Sequence, residues 1–405
     1  MGQPRTALII GGGIIGVTSA YTLARDGWQV RLVEREAEIA LGASWGNGRQ
    51  LSYSHTNALA NPGILSQLPG LLLGCDDAFR LSLRPEPHYL LWLLRLLGNS
   101  SGSAYRQNTL ETLALAEQSR SAMNALLARH PIEFDRRKVG KLVLLRGEKE
   151  VRAAREIMEL KRAAGLRQFL LSADEARAIE PALAQSTDPI TAALHAPDDE
   201  TGDCNAFARA LWKLTAREFG AKLALRRQVL AIGRGKTESR VHLDNGDVLS
   251  AQQVVVANGH CAARLLRPLG YNLPIEPMKG YSFTAPIGNA PPCVSITDSK
   301  RRIVFTNIGT RMLVAGIAEL GRHDREVAPD RLDTMIDAAR ASLPEAAVYS
   351  ECDQGWAGFR PLTPNSQPLI RQLERGIAVN GGHGMLGWTL AMGSAERLSK
   401  LVAAR

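Results

Sequence analysis

The sequence predicts a mixed α/β protein in which an α+β domain with an antiparallel sheet is inserted into a domain built on a parallel sheet. Three observations predict this fold class. The chain opens on an apolar strand, a glycine-rich turn, a helix and a second strand, all within residues 5–33. Alternating strands over residues 274–318 indicate an antiparallel sheet, and a strand, glycine-rich turn and helix recur over residues 377–398. The change from βαβ to antiparallel pattern predicts two domains.

The composition is that of a globular protein. At 405 residues, with 45% hydrophobic and 22% charged residues, the chain is long enough for two domains. The chain has no charge-free apolar run of about 20 residues, so no membrane span is predicted. The five cysteines are scattered and form no CxxC pair, so we expect neither a disulfide framework nor a metal site. Because the first strand begins within a few residues of the N-terminus, there is no room for a signal peptide and we expect a cytoplasmic protein.

The net charge of +9 is compatible with an anionic membrane surface, nucleic acid or an anionic substrate. The basic residues are dispersed and no RNA-binding signature is present, so no nucleic-acid partner is expected. The apolar segment 88–98 is interrupted by Arg95 and is too short to span a bilayer. It is either a buried helix or a contact with a membrane surface or partner.

The first glycine-rich turn, residues 11–16, satisfies G-x-G-x-x-G in the context typical of a Rossmann-like dinucleotide-binding domain. Gly11 allows the tight turn, Gly13 lets a pyrophosphate approach the helix N-terminus, and Gly16 permits close helix–strand packing. Glu34, at the end of the second strand, can accept hydrogen bonds from ribose hydroxyls and would repel a 2′-phosphate. These residues predict NAD or FAD rather than NADP.

The following stretch, residues 42–52, favours FAD. It is rich in small and amide residues and has no helical pattern, whereas an NAD-binding domain would usually continue with regular βα units. It is either a loop that wraps the longer dinucleotide or an ordinary surface loop. Its candidate cofactor contacts are Ser44, Asn47, Gly48 and Gln50.

Other elements follow from spacing and turn chemistry. Helical spacing predicts a long helix over residues 104–130, and a second helix is predicted to be capped near Asp203 and ended by Gly220. One strand is predicted over residues 222–232, ahead of a hairpin whose turn is Asn245-Gly246.

Five stretches of the sequence resemble the D-amino-acid dehydrogenase branch (small-subunit type) of the FAD-dependent D-amino-acid oxidase superfamily. They are IIGGGIIGVTSAYTLARDGWQVRLVERE, PDDETGDC, PMKGYS, GFRPLTP and GHGMLGWTLAMGS, and the resemblance covers nearly all of the chain. It implies a discontinuous FAD-binding domain over residues 1–87, 189–270 and 351–405. The inserted substrate domain would comprise residues 88–188 and 271–350.

The resemblance implies oxidation of a D-amino acid by hydride transfer from Cα to flavin N5, after which water converts the imino acid to an oxo acid and ammonium. The electrons would pass to a quinone or another respiratory-chain acceptor, which suits a peripheral protein on the inner face of the plasma membrane. One alternative is an oxygen-using oxidase of glycine, sarcosine or a cyclic imino acid such as D-proline. Others are a tRNA-modifying FAD oxidoreductase and a subunit that needs partner chains.

The resemblance also implies the residues at the substrate. Arg360 would anchor the carboxylate, since a guanidinium offers a planar bidentate fork. Tyr53 and His55 are expected to approach the pocket, where histidine replaces a tyrosine that is frequent in the family. Tyr281 is expected either to line the pocket or to be part of the core. No general base is identified.

FAD is expected to bind without a covalent bond, because no cysteine lies in the GFRPLTP or GHGMLGW stretches, where some relatives tether the flavin. The backbone N–H groups of Met385 and Leu386 are expected near the N1–C2=O edge of the flavin, where the helix dipole favours negative charge. Beyond the residues already named, the expected cofactor set is Ile14, Ile15, Arg35, Leu51, Val229, Gly259, Gly382, His383, Gly384, Gly387, Trp388 and Thr389.

Overall fold

The computed structural model describes residues 5–404. Within them it contains two large and two small sheets with helices packed around them, which confirms the mixed α/β class. The strands, β1 to β20, are Thr6–Ile10, Gln29–Val33, Gln50–Leu51, Phe79–Leu81, Lys141–Leu145, Phe169–Ser172, Ala192–Ala196, Glu200–Thr201, Lys222–Ala224, Val229–Gly233, Ser239–Leu243, Val248–Ala251, Gln253–Val256, Glu276–Pro286, Ser295–Asp298, Ile303–Ile308, Arg311–Leu320, Trp356–Leu362, Leu369–Glu374 and Ile377–Gly381. The α-helices, α1 to α10, are Ile14–Arg25, Ile64–Leu72, Pro87–Gly98, Gly102–Arg129, Glu148–Ala163, Ala173–Ile179, Cys204–Phe219, Ala262–Leu266, Pro329–Ser342 and Gly387–Ala403.

The first large sheet has six strands in the order β19-β20-β13-β1-β2-β9. All its pairs are parallel except β19 with β20. Strand β1 is central and nearly all buried, which explains its continuous apolar run. Helix α1 packs against α7 and α10, and α10 packs against α4. This is the Rossmann-like half of the molecule.

The turn from β1 to α1 depends on two glycines. Gly11 has φ +106°, and a Cβ there would lie 2.7 Å from the Cα of Asn258. A Cβ on Gly16 would lie 1.8 Å from the carbonyl oxygen of Gly11. The helix can therefore begin directly beneath the sheet edge only with glycine at both positions. Helix α1 ends at Arg25, and Gly27, just beyond the C-cap residue Asp26, has φ +86°.

The second large sheet has nine strands in the order β18-β14-β17-β16-β15-β5-β7-β6, with β4 paired to the far end of β17. Most of its pairs are antiparallel, as the alternating pattern predicted. Helix α9 covers one face, where Met335 and Ala339 join the core that contains Phe283 and Phe305. The register of β14 and β17 shifts next to Gly280, which leaves Ile317 as a bulged residue.

The strand predicted over residues 222–232 is wrong as a single element. It divides into β9, which joins the six-stranded sheet, and β10, which joins the antiparallel three-stranded sheet β10-β11-β12. Arg226 lies between them with φ +54°, so the chain turns there. The apolar pattern marks extended chain but cannot show that it changes sheets.

Sheet membership also departs from the expected domain division at three strands. β4, β7 and β18 lie within residues 1–87, 189–270 and 351–405, yet all three are hydrogen-bonded into the nine-stranded sheet. Short strands carry no sequence signal for their distant partners, so this could not be read from local pattern. The division itself stays a prediction. No helix within residues 5–404 is long and apolar enough to cross a membrane.

Candidate functional site

A cavity of about 1410 Å³ is lined by both large sheets and by the segments between them. It brings together the first glycine-rich turn, the loop of residues 42–52, strands β14, β17 and β18, and the turn before α10. The two glycine-rich turns, almost 370 residues apart in sequence, therefore face one space. The volume of the cavity is large enough to hold a dinucleotide and a small substrate.

One end of the cavity is shaped by Glu34. Its Oε2 accepts a hydrogen bond from the N–H of Gly12 at 2.5 Å, and its Oε1 accepts one from the N–H of Glu36 at 2.9 Å. The loop of residues 42–52 is attached to the same place, because Ser44 Oγ accepts from the N–H of Ile14 at 3.0 Å. The carboxylate orientation and the first turn of α1 are thus both fixed where a ribose and pyrophosphate would lie.

Buried polar atoms without partners mark the wall between the two glycine-rich turns. Among the described residues, Asn258 Oδ1, Asn380 Oδ1 and both ring nitrogens of His383 have no hydrogen-bond partner. Burial lowers the pKa of His383 to about 3, so its ring is neutral. Unpaired buried polar groups are costly and are usually satisfied by a ligand or water. Together with the glycine turns they fit an extended dinucleotide such as FAD.

Arg360 on β18 is the central cation of the opposite wall. Its Nη2 donates to the carbonyl of Gly316 at 3.1 Å, and no carboxylate in the described chain pairs with it. Burial lowers its pKa to about 10, which still leaves it charged at neutral pH. Gly280 lies on β14 two residues beyond Met278, the register partner of Arg360, and a Cβ on Gly280 would lie 2.5 Å from the guanidinium carbon. The absence of a side chain at position 280 therefore makes room for the guanidinium. The carbonyl of Gly316, which accepts the hydrogen bond from Arg360, directly precedes the bulged residue Ile317.

A second polar wall surrounds Lys141, the first residue of β5. Lys141 is buried, and its Nζ donates to Gln50 Oε1 and Ser52 Oγ, each at 2.9 Å. Burial lowers the pKa of Lys141 to about 8. His55 lines the same wall, and burial together with Lys141 and Lys161 lowers its pKa well below the ordinary value. His55 is therefore neutral, and its Nδ1 has no partner.

Two of the four residues expected at the substrate, Tyr53 and Tyr281, belong to buried cores. Tyr53 is 1% exposed, lies in the core beneath the cavity and is not among its lining residues. Tyr281 borders the cavity, but its hydroxyl donates to Glu319 at 2.8 Å inside the core. The structure places Tyr53 in the core and the hydroxyl of Tyr281 against Glu319, and a role for either residue at the substrate stays a prediction. Alternation along a strand shows which side chains share a face, not which face meets the cavity.

Most of the expected cofactor residues line the cavity. Gly16 and Leu51 do not: Gly16 packs on Gly11, and Leu51 is fully buried where it pairs with Glu200. Of the five cysteines, Cys261 alone lines the cavity, and its Sγ lies 3.7 Å from Arg35 at the nucleotide end. The lining residues from the expected set are Gly11, Gly13, Ile14, Ile15, Glu34, Arg35, Ser44, Asn47, Gly48, Gln50, Val229, Gly259, Gly382, His383, Gly384, Met385, Leu386, Gly387, Trp388 and Thr389, with Arg360 and His55 at the substrate end.

Several residues line the cavity that the sequence does not predict there: Lys141, Gly280, Thr297, Gly316 and Trp356. Gly280 stands inside the PMKGYS stretch, so its motif was noticed but not its role beside Arg360. Lys141 opens the otherwise apolar run KLVLL, and a lysine on the inner face of a buried strand is the signal that could have been used. Gly316 and Trp356 have no local signal.

A family model described as FAD dependent oxidoreductase (DAO) matches residues 6–401. The chain therefore belongs to this family of FAD-dependent oxidoreductases. This agrees with the dinucleotide cradle, by which we mean the two glycine-rich turns, Glu34 and the loop of residues 42–52. It is 37% identical over 408 residues to D-amino acid dehydrogenase 2 of Ralstonia nicotianae, covering 98% of this chain and 96% of that relative. It is 36% identical over 404 residues to a D-amino acid dehydrogenase of Rhizorhabdus wittichii, covering 98% and 96%. Among solved structures, glycine oxidase from Geobacillus kaustophilus superposes with a TM-score of 0.78 at 22% identity, covering 99% of this chain and 95% of that one, and so shares the fold.

Proposed function

We propose that this protein oxidatively deaminates D-amino acids and passes the electrons to an acceptor other than dioxygen. The observation that carries the proposal is Arg360, a cation without a carboxylate partner in the described chain, facing the cavity that the dinucleotide cradle shares. Relatives named D-amino acid dehydrogenase, at 37% and 36% identity over nearly the whole chain, support the D-amino acid as substrate.

Arg360 binds the α-carboxylate of the substrate through two parallel N–H···O bonds. One of its nitrogens is already held by the carbonyl of Gly316, which fixes the plane of the guanidinium. A substrate anchored at its carboxylate presents its Cα in one orientation, and positioning of this kind lowers the entropic part of the barrier. The room left by Gly280 sets how closely the anchor lies to β14.

The substrate end of the cavity favours a neutral amine. The carboxylates among the described lining residues are Glu34 and Glu36, and both lie at the nucleotide end. Arg360 lies at the substrate end, and a nearby cation and desolvation both lower the pKa of an ammonium group. The amine proton therefore leaves to water, without a side-chain carboxylate to receive it. Bound FAD supplies the two-electron acceptor for the hydride from Cα. Water then hydrolyses the imino acid to the oxo acid and ammonium.

FAD is held without a covalent bond in this proposal. Glu34 would hold the ribose, the N-terminus of α1 would hold the pyrophosphate, and the turn of residues 382–386 would hold the flavin ring. Cys261, the cysteine that lines the cavity, lies beside Arg35 at the nucleotide end, away from that turn. Denaturation with acid should therefore release all of the flavin into the supernatant.

The acceptor we propose is a quinone or another respiratory-chain component, reached by binding of the protein to the inner face of the plasma membrane. Support comes from α2 and α3, which pack on one small core around Tyr89 and Trp92 and leave apolar side chains outside. Leu73 is 79% exposed and Leu94 is 65% exposed. This leucine surface consists of Leu65, Leu72, Leu73, Leu83, Leu90, Leu91 and Leu94. Arg84 and Arg95 lie beside it and suit anionic headgroups.

The test of the reaction is anaerobic reduction of the purified flavoprotein. D-alanine, D-methionine and other D-amino acids should bleach the flavin, whereas their L-enantiomers should not. Reoxidation should be slow in air and fast with a soluble quinone. Bleaching by glycine, sarcosine or D-proline with fast recovery in air would replace the dehydrogenase with an oxidase, and no bleaching by any of these compounds would overturn the proposal.

The test of the membrane contact is sedimentation with lipid vesicles. The protein should sediment with vesicles that contain phosphatidylglycerol and remain in solution with pure phosphatidylcholine. Replacing Leu90 and Leu94 by serine should abolish sedimentation. Leu230→Ser is the matched control, because Leu230 is 59% exposed on β10, outside the leucine surface. Equal loss in both variants would contradict the assignment of this surface.

A further inference from the structure

The substrate end of the cavity has a second cationic wall that the proposed reaction does not use. Lys141 is 3% exposed and lines the cavity. Two of its three N–H groups are taken by Gln50 and Ser52, and no ion pair is formed in the described chain. One ammonium N–H is therefore left over at a buried position. An ammonium group is costly to bury unless its donors are satisfied.

Other groups without partners lie on the same face. Strands β5 and β15 run parallel, with Lys141 opposite Ser295 and Val143 opposite Thr297. Alternation places these four side chains on one face of the sheet. Lys141, Val143 and Thr297 line the cavity, and Thr297 Oγ1 has no partner. Ser295 Oγ accepts from Gln50 Nε2 at 2.6 Å, which holds the amide against this wall.

His55 adds a third unpartnered group. Its ring is neutral, so one ring nitrogen carries a hydrogen that can be donated. Its Nδ1 is buried and unpaired. The remaining N–H of the Lys141 ammonium, the hydroxyl of Thr297 and the imidazole of His55 all line the cavity and can donate to the two oxygens of a carboxylate.

The buried charged residues next to Lys141 do not form an ion pair with its ammonium group. Lys161 is also buried, and its Nζ donates to the carbonyl of Ser54 and to Asn57 Oδ1 rather than to a carboxylate. The buried carboxylate nearby is Asp199, which accepts from the N–H and hydroxyl of Ser54. Two lysines therefore share one carboxylate. An anion in the cavity beside Lys141 would give its ammonium a direct counter-ion.

We propose that Lys141, with Thr297 and His55, forms a subsite for the side-chain carboxylate of an acidic D-amino acid such as D-glutamate or D-aspartate. This inference rests on the proposed function, because it takes Arg360 as the anchor of the α-carboxylate. Arg360 and Lys141 are then two cations at the substrate end of the cavity that form no ion pair in the described chain, and an acidic amino acid has two carboxylates. A neutral side chain leaves the ammonium of Lys141 unpaired.

The first test compares D-glutamate with D-glutamine, which has nearly the same shape and no side-chain charge. With the wild-type holoenzyme, kcat/KM for D-glutamate should exceed that for D-glutamine by about 30-fold or more, as for a partly buried charge pair. Lys141→Met should remove this preference and leave D-alanine oxidation within about threefold, since the amine chemistry does not use the ammonium. Lys161→Met is the matched control, because it removes a buried lysine of the same cluster that does not line the cavity. It should keep the preference.

The second test does not depend on turnover. Glutarate and its monoamide should bind the oxidised holoenzyme and perturb the flavin absorbance, with glutarate binding about 30-fold more tightly. The wild-type comparisons need no variant, so a failure of Lys141→Met to fold does not remove the test.

Equal affinity for glutarate and its monoamide, or no preference for D-glutamate, would overturn the subsite while D-alanine still bleaches the flavin. If Lys141→Met still prefers D-glutamate over D-glutamine, the preference comes from another cation and the proposed role of Lys141 is wrong. If no D-amino acid bleaches the flavin, the proposed function fails instead, and the binding comparison alone decides the subsite.

Discussion

Two arginines of the nine-stranded sheet differ in what surrounds their charge. Arg146, at the end of β5, is 5% exposed and donates to Asp298 Oδ2 at 2.9 Å from Nη2. It also donates to the carbonyl of Asp188 at 2.7 Å. Arg360 on β18 has one hydrogen bond, to the carbonyl of Gly316, and no carboxylate in the described chain. The first guanidinium is satisfied by the protein, and the second is left with free donors that face a cavity.

The presence or absence of a partner within the protein distinguishes a buried charge that stabilises the fold from one that binds a ligand. A buried cation that the protein pairs completely acts on the fold, and removing its partner leaves a charge without compensation. A cation that the protein leaves unpaired at a cavity costs stability and is retained for a ligand. Substitutions at Arg146's partner and at Arg360 should therefore move different observables.

The largest expected effect is on catalysis, from Arg360→Met. kcat/KM for D-alanine should fall by about three orders of magnitude, mostly through KM, because a desolvated carboxylate loses its partner. Bound FAD and the free energy of unfolding should be unchanged or slightly higher, since an unpaired buried charge is removed. The kcat/KM of Arg360→Lys should lie between those of the wild type and Arg360→Met, because lysine keeps the positive charge but cannot form two parallel hydrogen bonds. Steady-state kinetics with a dye acceptor measures this, and unchanged kinetics would remove the anchor role.

The complementary effect is on stability, from Asp298→Asn. Asp298 is fully buried and is held by both Arg146 and Arg301. The free energy of unfolding should fall by about 3 kcal/mol, measured by urea denaturation, while kcat/KM of the folded enzyme stays within about threefold. A loss of activity without a loss of stability would break the distinction between the two arginines.

Low pH should lower the stability of the protein through the ion pair between Asp298 and Arg146. Burial raises the pKa of Asp298, but Arg146 and the hydrogen bonds to the carboxylate outweigh burial and hold the pKa below its ordinary value. The contribution of the pair is therefore present above about pH 4 and is lost as the pH falls through the lower pKa of the folded state. Wild-type and Asp298→Asn should differ in stability at pH 7 and converge in acid. A constant difference would contradict this linkage.

The buried lysines should produce the opposite pH dependence. Burial lowers the pKa of Lys161 to about 7, although Asp199 acts against it, whereas the unfolded chain keeps the ordinary value near 10.5. Between these values the unfolded state binds more protons, so stability rises with pH. The free energy of unfolding should increase by about 2 kcal/mol from pH 7 to pH 9. Lys161→Met should remove most of that increase in denaturant titrations, and an unchanged slope would show that Lys161 is not its source.

The smallest effect sharpens the description of the anchor. Gly280→Ala places a methyl group 2.5 Å from the guanidinium carbon of Arg360, so the side chain must shift. KM should rise by about tenfold, or about 1.4 kcal/mol, with stability little changed because the obstructed group is the end of a flexible side chain. Gly98→Ala is the control, since a Cβ there meets no atom within 4 Å. Equal KM values in the two variants would show that Gly280 does not set the anchor position.

Much of the cradle could be predicted from the sequence because its determinants are local. The turn of residues 11–16 and Glu34 belong to one βαβ unit, where spacing alone fixes which groups face the ligand. The N-cap at Asp203 and the left-handed end at Gly220 are likewise local, and both are confirmed. The composition of residues 42–52 predicts a cofactor loop, and most of these residues line the cavity, although Trp45 and Leu51 do not.

The substrate end could be predicted only in part. Arg360 was found from its motif, but its carbonyl partner Gly316 and the neighbouring Gly280 come from other strands. Tyr53 was expected in the pocket because it follows the loop, and it lies in the core instead. A neighbour in sequence can point to the opposite side of an extended chain.

What the sequence determined by itself is the fold class, the family and the nucleotide-binding turn, since each rests on patterns within short windows. What only the tertiary structure decided is which charges are balanced. Lys141 contacts Gln50 across 91 residues of chain, and Arg360 binds Gly316 across 44. Periodicity reports the direction of a side chain and not the group that it meets. A charge becomes structural or functional only when folding brings, or fails to bring, its counter-ion.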